Sequence, residues 1–426
     1  MTQRYDTYKE SGVQWLGEIP GHWERTKVSR LFKQIGSGTT PSSGDSTLYA
    51  DEGTPWLQSG DFNNNEINST SKFITDKALD NYCLKLYNPG GVVIAMYGAS
   101  IGKVGLLNIA TTVNQACCVL SNSDHLIQKF TFYVFINEKE NLIKKSKGGT
   151  QPNISQEIIK SHYIPLPPLS EQRAIVTYLD DKCAKIDKLV EGKQKQIELL
   201  AEMKQRIIAD AVTRGLNPNV KMKATNIPWL PEIPGHWESV KLKAFCKENK
   251  EKNKGNAESC VLSLSYGSII IKQNINFGLV PESYENYQIV NPGYIILRLT
   301  DLQNDHKSLR TGLVKNRGII TSAYVGLIVS DMDSRYVQLL LHAYDITKIF
   351  YGMCGGLRQS MTFQDVANLY IPLPPLPEQR AIVTYLDDKC SKIDLLVEKL
   401  KAEIDAIKEY KQRLISDVVT GQIKVC

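Results

Sequence analysis

No stretch of this 426-residue chain approaches the roughly 18 consecutive apolar residues that cross a bilayer, which excludes a helical membrane span. The first residues, MTQRYDTYKESG, are polar and hold no apolar signal core, so we expect a soluble, cytoplasmic protein. None of the nine cysteines falls in a C-x-x-C pair, and the adjacent Cys117 and Cys118 are too close for an ordinary mutual disulfide. Metal-ligand spacing is missing as well, so neither a zinc site nor a metal cofactor is expected. The six histidines are scattered, and their spacing builds no Ser-His-Asp or paired-carboxylate arrangement. Segment Gly98–Val104 falls short of a phosphate loop: it has one residue too few between glycines, and Val104 stands where a magnesium-binding Ser or Thr belongs. Charge of one sign is scarce too. Residues 25–163 carry 14 Lys+Arg against 11 Asp+Glu, residues 239–370 carry 15 against 11, and residues 371–426 have nine of each. The mild surplus in the first two stretches permits contact with phosphates without demanding it.

What is there is an ordinary globular composition, 42% apolar and 23% charged, at a length that suggests two or three domains. It is organised by an internal repeat. Residues 164–187 read IPLPPLSEQRAIVTYLDDKCAKID and residues 371–394 read IPLPPLPEQRAIVTYLDDKCSKID, differing only at Ser170/Pro377 and Ala184/Ser391. The likeness continues more weakly to KQRIIADAVTRG at 204–215 and KQRLISDVVTG at 411–421. A second matched pair is WLGEIPGHWE at 15–24 and WLPEIPGHWE at 229–238, where His22 and His236 are read as packing beside Trp23 and Trp237.

Each proline-punctuated repeat predicts a long helix. Prolines 165, 167 and 168 hold the approach extended, Ser170 or Pro377 sits at the start, and Gly215 and Gly421 are natural stops. Alternating steps of four and three pick out Ile175, Leu179, Lys182, Ile186, Leu189, Lys193, Gln196, Leu200, Met203 and Ile207. The second copy gives Ile382, Leu386, Lys389, Ile393, Leu396, Leu400, Glu403, Ile407, Tyr410 and Leu414. Both are coiled-coil seams with a lysine at the same step. Two such seams most simply pack on each other, as an antiparallel pair with a head at each end in a pseudo-two-fold arrangement. Seam packing does not explain why Gln172, Arg173, Thr177, Asp180 and Asp181 recur as Gln379, Arg380, Thr384, Asp387 and Asp388. We expect these to face outward and to dock one partner species twice.

Between the repeats lie two divergent heads of mixed α+β character. Gly90–Tyr97 and Tyr294–Leu297 read as buried strands, each after an Asn-Pro-Gly turn at 88–90 or 291–293. Each head ends in a Gly-Gly loop (Gly148–Gly149, Gly355–Gly356), a short helix near Ser155 or Thr362, and a strand entering IPLPPL. The expected organisation is a lead-in at 1–24, a head at 25–163, a helical region at 164–216, a second head at 217–370 whose lead-in is 217–238, and a helical region at 371–426. Base readers are expected on polar loops beside glycines: Ser100, Lys103, Asn114, Gln115, Gln151 and Asn153 in the first head, and Lys315, Arg317, Arg358, Gln359 and Ser360 in the second. Arg, Asn and Gln can pair bidentately with base edges, while Lys mostly finds phosphates.

Over its full length the chain resembles the specificity subunits of type I restriction-modification systems. PLPPLxEQRAIVxYLD, present at Pro165–Asp180 and Pro372–Asp387, carries the resemblance, and the WLxEIPGHW lead-ins support it. The resemblance implies two target-recognition domains, each reading one half of a split double-stranded DNA sequence, with the helices as a ruler between the halves. It also implies docking of two modification subunits that carry adenine methyltransferase chemistry, with restriction subunits completing an ATP-dependent nuclease. The subunit itself then needs no cofactor and catalyses nothing. In keeping with this, Pro-Pro occurs only within LPPL, not in the Asn/Asp-Pro-Pro-Tyr/Phe segment expected of a DNA adenine methyltransferase. Heads on one face of a duplex would meet half-sites roughly one helical turn apart, about 10 bp centre to centre. The alternatives are a two-headed coiled-coil scaffold that binds proteins rather than DNA, and an enzyme with an unrecognised site.

Overall fold

A computed structural model describes residues 3–146, 152–272, 283–302, 305, 309–353 and 360–425. The chain divides into two compact units, Met1–Lys193 with Ala402–Cys426, and Gln194–Lys401. The division cuts through both long helices, Leu169–Arg214 and Leu376–Val419. Each head therefore shares its unit with the start of one long helix and the end of the other, rather than standing apart from separate helical regions.

The two heads are built on one frame. In the first unit the sheet order is Gln34–Gly36, Cys117–Ser121, Val92–Ala95, Val104–Leu107 and Asn65–Ile67, antiparallel except for the last pair. In the second it is Cys246–Glu248, Val325–Val329, Ile295–Leu297 and Thr311–Leu313, antiparallel throughout. Continuous apolar runs such as Val92-Val93-Ile94-Ala95 and Ile295-Ile296-Leu297 are fully buried because both faces of these strands are covered. One face takes a helix, Gln128–Lys144 or Ser334–Ile346. The expected short helices follow at Gln156–Ser161, where the Ser155 hydroxyl caps the Ile158 N–H at 3.3 Å, and at Phe363–Ala367, where Thr362 and Asp365 form a capping box. Strand Tyr163–Leu166 then pairs with Glu24–Lys27, and Tyr370–Leu373 with Glu238–Lys241. The loops at Gly148–Gly149 and Gly355–Gly356 lie outside the described residues.

The long helices correct the expected seam. The buried or half-buried stripe of the first is Ile175, Leu179, Cys183, Ile186, Val190, Lys193, Ile197, Leu200, Lys204, Ile208 and Ala211. The second repeats it as Ile382, Leu386, Cys390, Ile393, Val397, Leu400, Ile404, Ile407, Lys411, Leu414 and Val418. Extra steps of four, after Leu179 and Lys204 in the first helix and after Leu386 in the second, keep pace with the 3.6-residue turn, where strict alternation of four and three drifts off the face. Leu189, Met203, Leu396 and Tyr410 are consequently exposed. Lys182 and Lys389 leave the stripe and lie over the rings of Tyr178 and Tyr385, 5.5 and 5.7 Å from their centroids.

Three lysines do enter the stripe, and each has an acid across from it. In the first unit Lys411 meets Asp187 at 2.6 Å and Lys193 meets Glu403 at 2.5 Å; in the second Lys204 meets Asp394 at 2.6 Å. In the first unit ascending numbers on one helix face descending numbers on the other, and in the second Gly215 lies against Glu378 while Lys204 meets Asp394, so the segments run antiparallel within each unit. The corrected stripe sets a test. Leu179→Ala should cost about 2–5 kcal/mol, as full-depth leucine truncations do, whereas Leu189→Ala should stay within about 0.5 kcal/mol. Thermal denaturation of the two variants reads the difference, and equal losses would restore the heptad seam.

Candidate nucleic-acid interface

Both repeated sequence elements meet at the first turn of a long helix. In the first unit Glu171 accepts the Trp23 indole N–H at 2.9 Å and the Tyr5 hydroxyl at 2.8 Å, with His22 Nε2 2.5 Å from its other oxygen. In the second unit Glu378 accepts the Trp237 N–H at 2.9 Å and lies 2.9 Å from His236 Nε2. Both tryptophans are fully buried. The histidines thus do more than pack beside tryptophan: each clasps a carboxylate that sequence reading passed over. Trp23 and Trp237 also seat the far ends of the long helices. Gly421 and Gly215 end their helices at φ +77, and a Cβ there would lie 2.5 Å from Pro20 Cδ or 3.1 Å from Trp237 Cζ2.

One turn further, the expected outward surface is partly an inward one. Gln172 and Gln379 are buried. The Gln172 side chain accepts from Ile127 N at 2.8 Å and donates to the carbonyls of His125 and Pro167 at 2.9 Å. Gln379 accepts from Asp333 N at 2.9 Å and donates to Pro374 O at 2.8 Å. An amide there satisfies backbone groups at the root of the head helix that water cannot reach. Asp180 accepts the Tyr133 hydroxyl at 2.6 Å and meets Lys129 at 3.0 Å; Asp387 meets Arg335 at 2.9 Å. These four residues recur because each head is latched to its helix in the same way. Thr177 and Thr384 turn their hydroxyls onto the carbonyls of Arg173 and Arg380 at 2.9 Å, and Asp181 and Asp388 pair with Lys185 and Lys392 at 2.8 Å. Arg173, Thr177, Asp181 and their repeats remain exposed.

The latched frame presents one end of each sheet. In the first head, strand Val92–Ala95 ends there, and Cys117–Ser121 begins beside it. Ile154 N donates to Met96 O at 2.7 Å, Met96 N donates to Ala116 O at 2.7 Å, and Gly38 N donates to Asn114 O at 3.3 Å. Gln115 accepts from the Thr40 hydroxyl and bonds to the Tyr97 phenol. Ser100, Lys103, Asn114, Gln115 and Asn153 are therefore brought to one place, joined by Thr40 and Tyr97, which sequence reading missed. The Asn114 side chain is partly committed, since Oδ1 accepts from Ala116 N at 3.1 Å. Gln151 lies outside the described residues.

The second head divides its candidates. Ser360 is exposed beside Met361, whose N–H donates to Leu299 O at 2.8 Å, so it sits at the end equivalent to that of Asn153. Lys315 and Arg317 occupy the turn after Thr311–Leu313, at the opposite end of the same strands. Arg317 is held there by Glu258 at 3.2 Å and Asn291 at 3.1 Å. They do not join Ser360, because the run of basic residues in sequence crosses the whole length of a strand. Arg358 and Gln359 lie outside the described residues. The residues that take the equivalent place are Arg298–Leu302, following the strand that pairs like Val92–Ala95; that pairing, not residue type, was the available signal.

Neither head offers an evident catalytic grouping among its described residues. The most enzyme-like pair, His162 and Glu138, lies 2.9 Å apart with both side chains at 0% exposure. Trp15 stacks on the imidazole at 5.4 Å, and Asn141 donates to the carboxylate. Burial pushes the Glu138 carboxyl up despite those bonds. The pair is a strut between the head helix and the strand that feeds the long helix. No described group of His, Cys, Asp and Glu could hold a metal ion, and no described helix is long and apolar enough to cross a membrane.

This frame, built twice with a tryptophan clasp and differing loops, is that of a DNA specificity subunit. The model of the type I restriction modification DNA specificity domain matches residues 20–199 and again 234–406, and the chain belongs to that family. Catalytic activities of type I systems lie in other subunits. The chain is 25% identical to the type I restriction enzyme MjaVIII specificity subunit of Methanocaldococcus jannaschii over 98% of this chain and 97% of that one. It is also 25% identical to the EcoR124I/EcoR124II specificity subunit of Escherichia coli, over 45% of this chain and 46% of that one. Among solved structures, one from work on complex assembly and conformational transition of the type I R-M system shares the fold at a TM-score of 0.67. It has 16% identity and covers 94% of this chain and 98% of its own. The HsdS subunit from Thermoanaerobacter tengcongensis gives 0.51 at 17% identity, covering 95% and 98%.

The clasp makes a pH-dependent prediction. Burial raises the Glu171 carboxyl, but the bonds from Trp23, His22 and Tyr5 outweigh it and hold the group below its usual value of 4.5. Its stabilisation is complete above that value and is lost as pH falls through the lower folded one. The gap in melting temperature between wild type and Glu171→Gln should therefore narrow as pH falls below about 4.5. A gap that widened in acid would reverse the assignment.

Proposed function

We propose that each head reads one half of an asymmetric, bipartite duplex DNA target, while the long helices set the gap and dock two methyltransferase subunits. The observation that carries this is the contrast between frame and loops. Sheet order, clasp and latch recur in both units, while the loops gathered at the equivalent sheet end share almost no residues. Divergent polar loops on one frame suit two different base sequences. Ser100, Lys103, Gln115 and Asn153, with Thr40 and Tyr97, are the proposed readers of the first half, and Ser360 with Arg298, Thr300 and Asp301 of the second. Asn114 shapes the first site, and Lys315 and Arg317 are better placed for phosphates than for bases. Gln151, Arg358 and Gln359 stay candidates by their sequence context alone. A DNA target also suits the cytoplasmic location proposed for the chain.

For the partner surface, the positions left after the latch are Arg173, Thr177 and Asp181 and their repeats Arg380, Thr384 and Asp388. Exposed apolar residues accompany them at the repeat spacing: Leu169 with Leu376, Leu189 with Leu396, and Met203 with Tyr410. Apolar residues matched in this way on outer helix faces fit a seat for helices of a partner. Restriction subunits would join the complex so formed.

The experiment is methylation and binding by the chain co-expressed with its methyltransferase subunit. Exchange of residues 25–163 for another member's head should change one half of the methylated sequence only; a change in both halves would end independent readout. One heptad added to each long helix should lengthen the gap, and an unaltered gap would defeat the ruler. Arg173→Glu combined with Arg380→Glu should reduce co-purification of the methyltransferase subunit at least about tenfold. Undiminished co-purification would move the docking surface elsewhere.

A further inference from the structure

The two heads shape the equivalent sheet-end loop by different means. In the first head the loop closes on itself: Gly102 N donates to Ala95 O at 2.8 Å, Ala95 N to Lys103 O at 2.9 Å, and Lys103 N to Ser100 O at 3.0 Å. Gly98 and Gly102 supply the two left-handed residues, at φ +79 and +73. The second head has no glycine among Arg298–Leu302. It has Arg310, the first residue of the returning chain, with 0% exposure.

A guanidinium carries five N–H donors in a fixed plane, and this one uses all five. Nη1 donates to Arg298 O at 3.2 Å and to Thr300 O at 2.7 Å. Nη2 donates to Asp301 O at 3.2 Å and to Asp305 O at 2.5 Å. Nε donates to the Tyr351 hydroxyl at 2.9 Å, and that ring lies under the guanidinium at 5.3 Å. The Arg310 main-chain N–H donates to Asp345 Oδ2 at 2.7 Å, which places a buried carboxylate beside the buried cation. Four carbonyls, of Arg298, Thr300, Asp301 and Asp305, thus converge on a single side chain, and Asp301 is held at φ +58, where a residue other than glycine is strained.

We propose that Arg310 is a specificity-determining positioning residue: it touches no DNA, and it fixes from within the turn through which the second head reads its half of the target. An arginine in that region invites assignment as a base or phosphate contact, but full burial and five committed donors leave it nothing to offer a nucleic acid. Lysine cannot replace it, because three donors on a flexible stem do not span four carbonyls in a plane. The inference rests on the proposed reading of the heads as base readers.

The test uses the full chain assembled with its methyltransferase subunits, after the wild-type target has been determined from its methylated sequence. Wild type, Arg310→Lys and Tyr351→Phe are titrated with cognate duplex, with duplexes scrambled in the first or the second half, and with random duplex. Arg310→Lys should lose at least about tenfold of its preference for the cognate second half, with first-half preference and random-duplex affinity within about twofold of wild type. Tyr351→Phe, which removes one acceptor from the arginine, should lose less and in the same half. A collapsed second head would instead lower random-duplex affinity. The inference is overturned by an unchanged second-half preference in Arg310→Lys, by equal loss in both halves, or by loss of random-duplex affinity. A wild type without preference in either half removes the reading of the heads and this inference with it.

Discussion

A glutamate placed where a helix begins, with a buried indole N–H aimed at it, ties together everything else in each unit. Glu171 with Trp23, and Glu378 with Trp237, lie where three parts of the chain meet: the lead-in, the first turn of one long helix and the glycine that ends the other. The indole contributes apolar bulk to the core and a single donor that must find an acceptor once buried. A carboxylate in the first helical turn is favoured by the unpaired N–H groups there and is free to accept. Because the tryptophan also closes on Gly421 or Gly215, the start of one helix and the end of the other are held together by the same ring.

The repeat announced these contacts without saying what they were. Identity at Glu171/Glu378 and Trp23/Trp237 was visible, but two residues almost 150 positions apart do not reveal their contact in one sequence. The same limit misled the reading of Gln172 and Asp180. A glutamine and an aspartate on a helix ordinarily face water, so their recurrence suggested an outer surface. Gln172 faces the head, where its amide satisfies backbone groups of His125, Ile127 and Pro167 at once, and Asp180 faces it to meet Tyr133 and Lys129. Helix existence, bounds and stops were legible, since they depend on local chemistry at Pro168, Gly215 and Gly421. The seam was legible in kind and wrong in phase. A heptad requires supercoiling, and one additional four-residue step after Leu179 achieves the same burial without it, moving Leu189 and Met203 outward.

Frame and loops of the heads differ in legibility for a related reason. Val92–Ala95 and Ile295–Leu297 are dictated by apolar continuity and the Asn-Pro-Gly turns before them, which are short-range signals. Which loops then gather at one sheet end depends on strand pairing. Gln115 and Asn153 were reachable through their neighbours in sequence, while Lys315 and Arg317 sit one strand length away from Ser360 despite a similar pattern. Arg298, Thr300 and Asp301 carried no glycine and so no visible mark of a turn.

That last absence says something about how one frame supports different readers. A loop closed by glycines needs no support from below, and its form is set by backbone freedom at Gly98 and Gly102. In the second head a residue other than glycine, Asp301, stands in the left-handed region, and the buried guanidinium of Arg310, just before the next strand, supplies the restraint. The cost of burying its charge is offset by four carbonyl dipoles, the Tyr351 ring and the nearby Asp345, none of which belongs to the clasp or the latch. Changes at the sheet end can therefore be accommodated inside one head without disturbing the contacts that join it to the helices. Two heads can diverge almost completely on the outside while Glu, Gln and Asp of the repeat stay fixed, since Arg310 spends its five donors inside its own head and the clasp and latch are built at the root of the long helix.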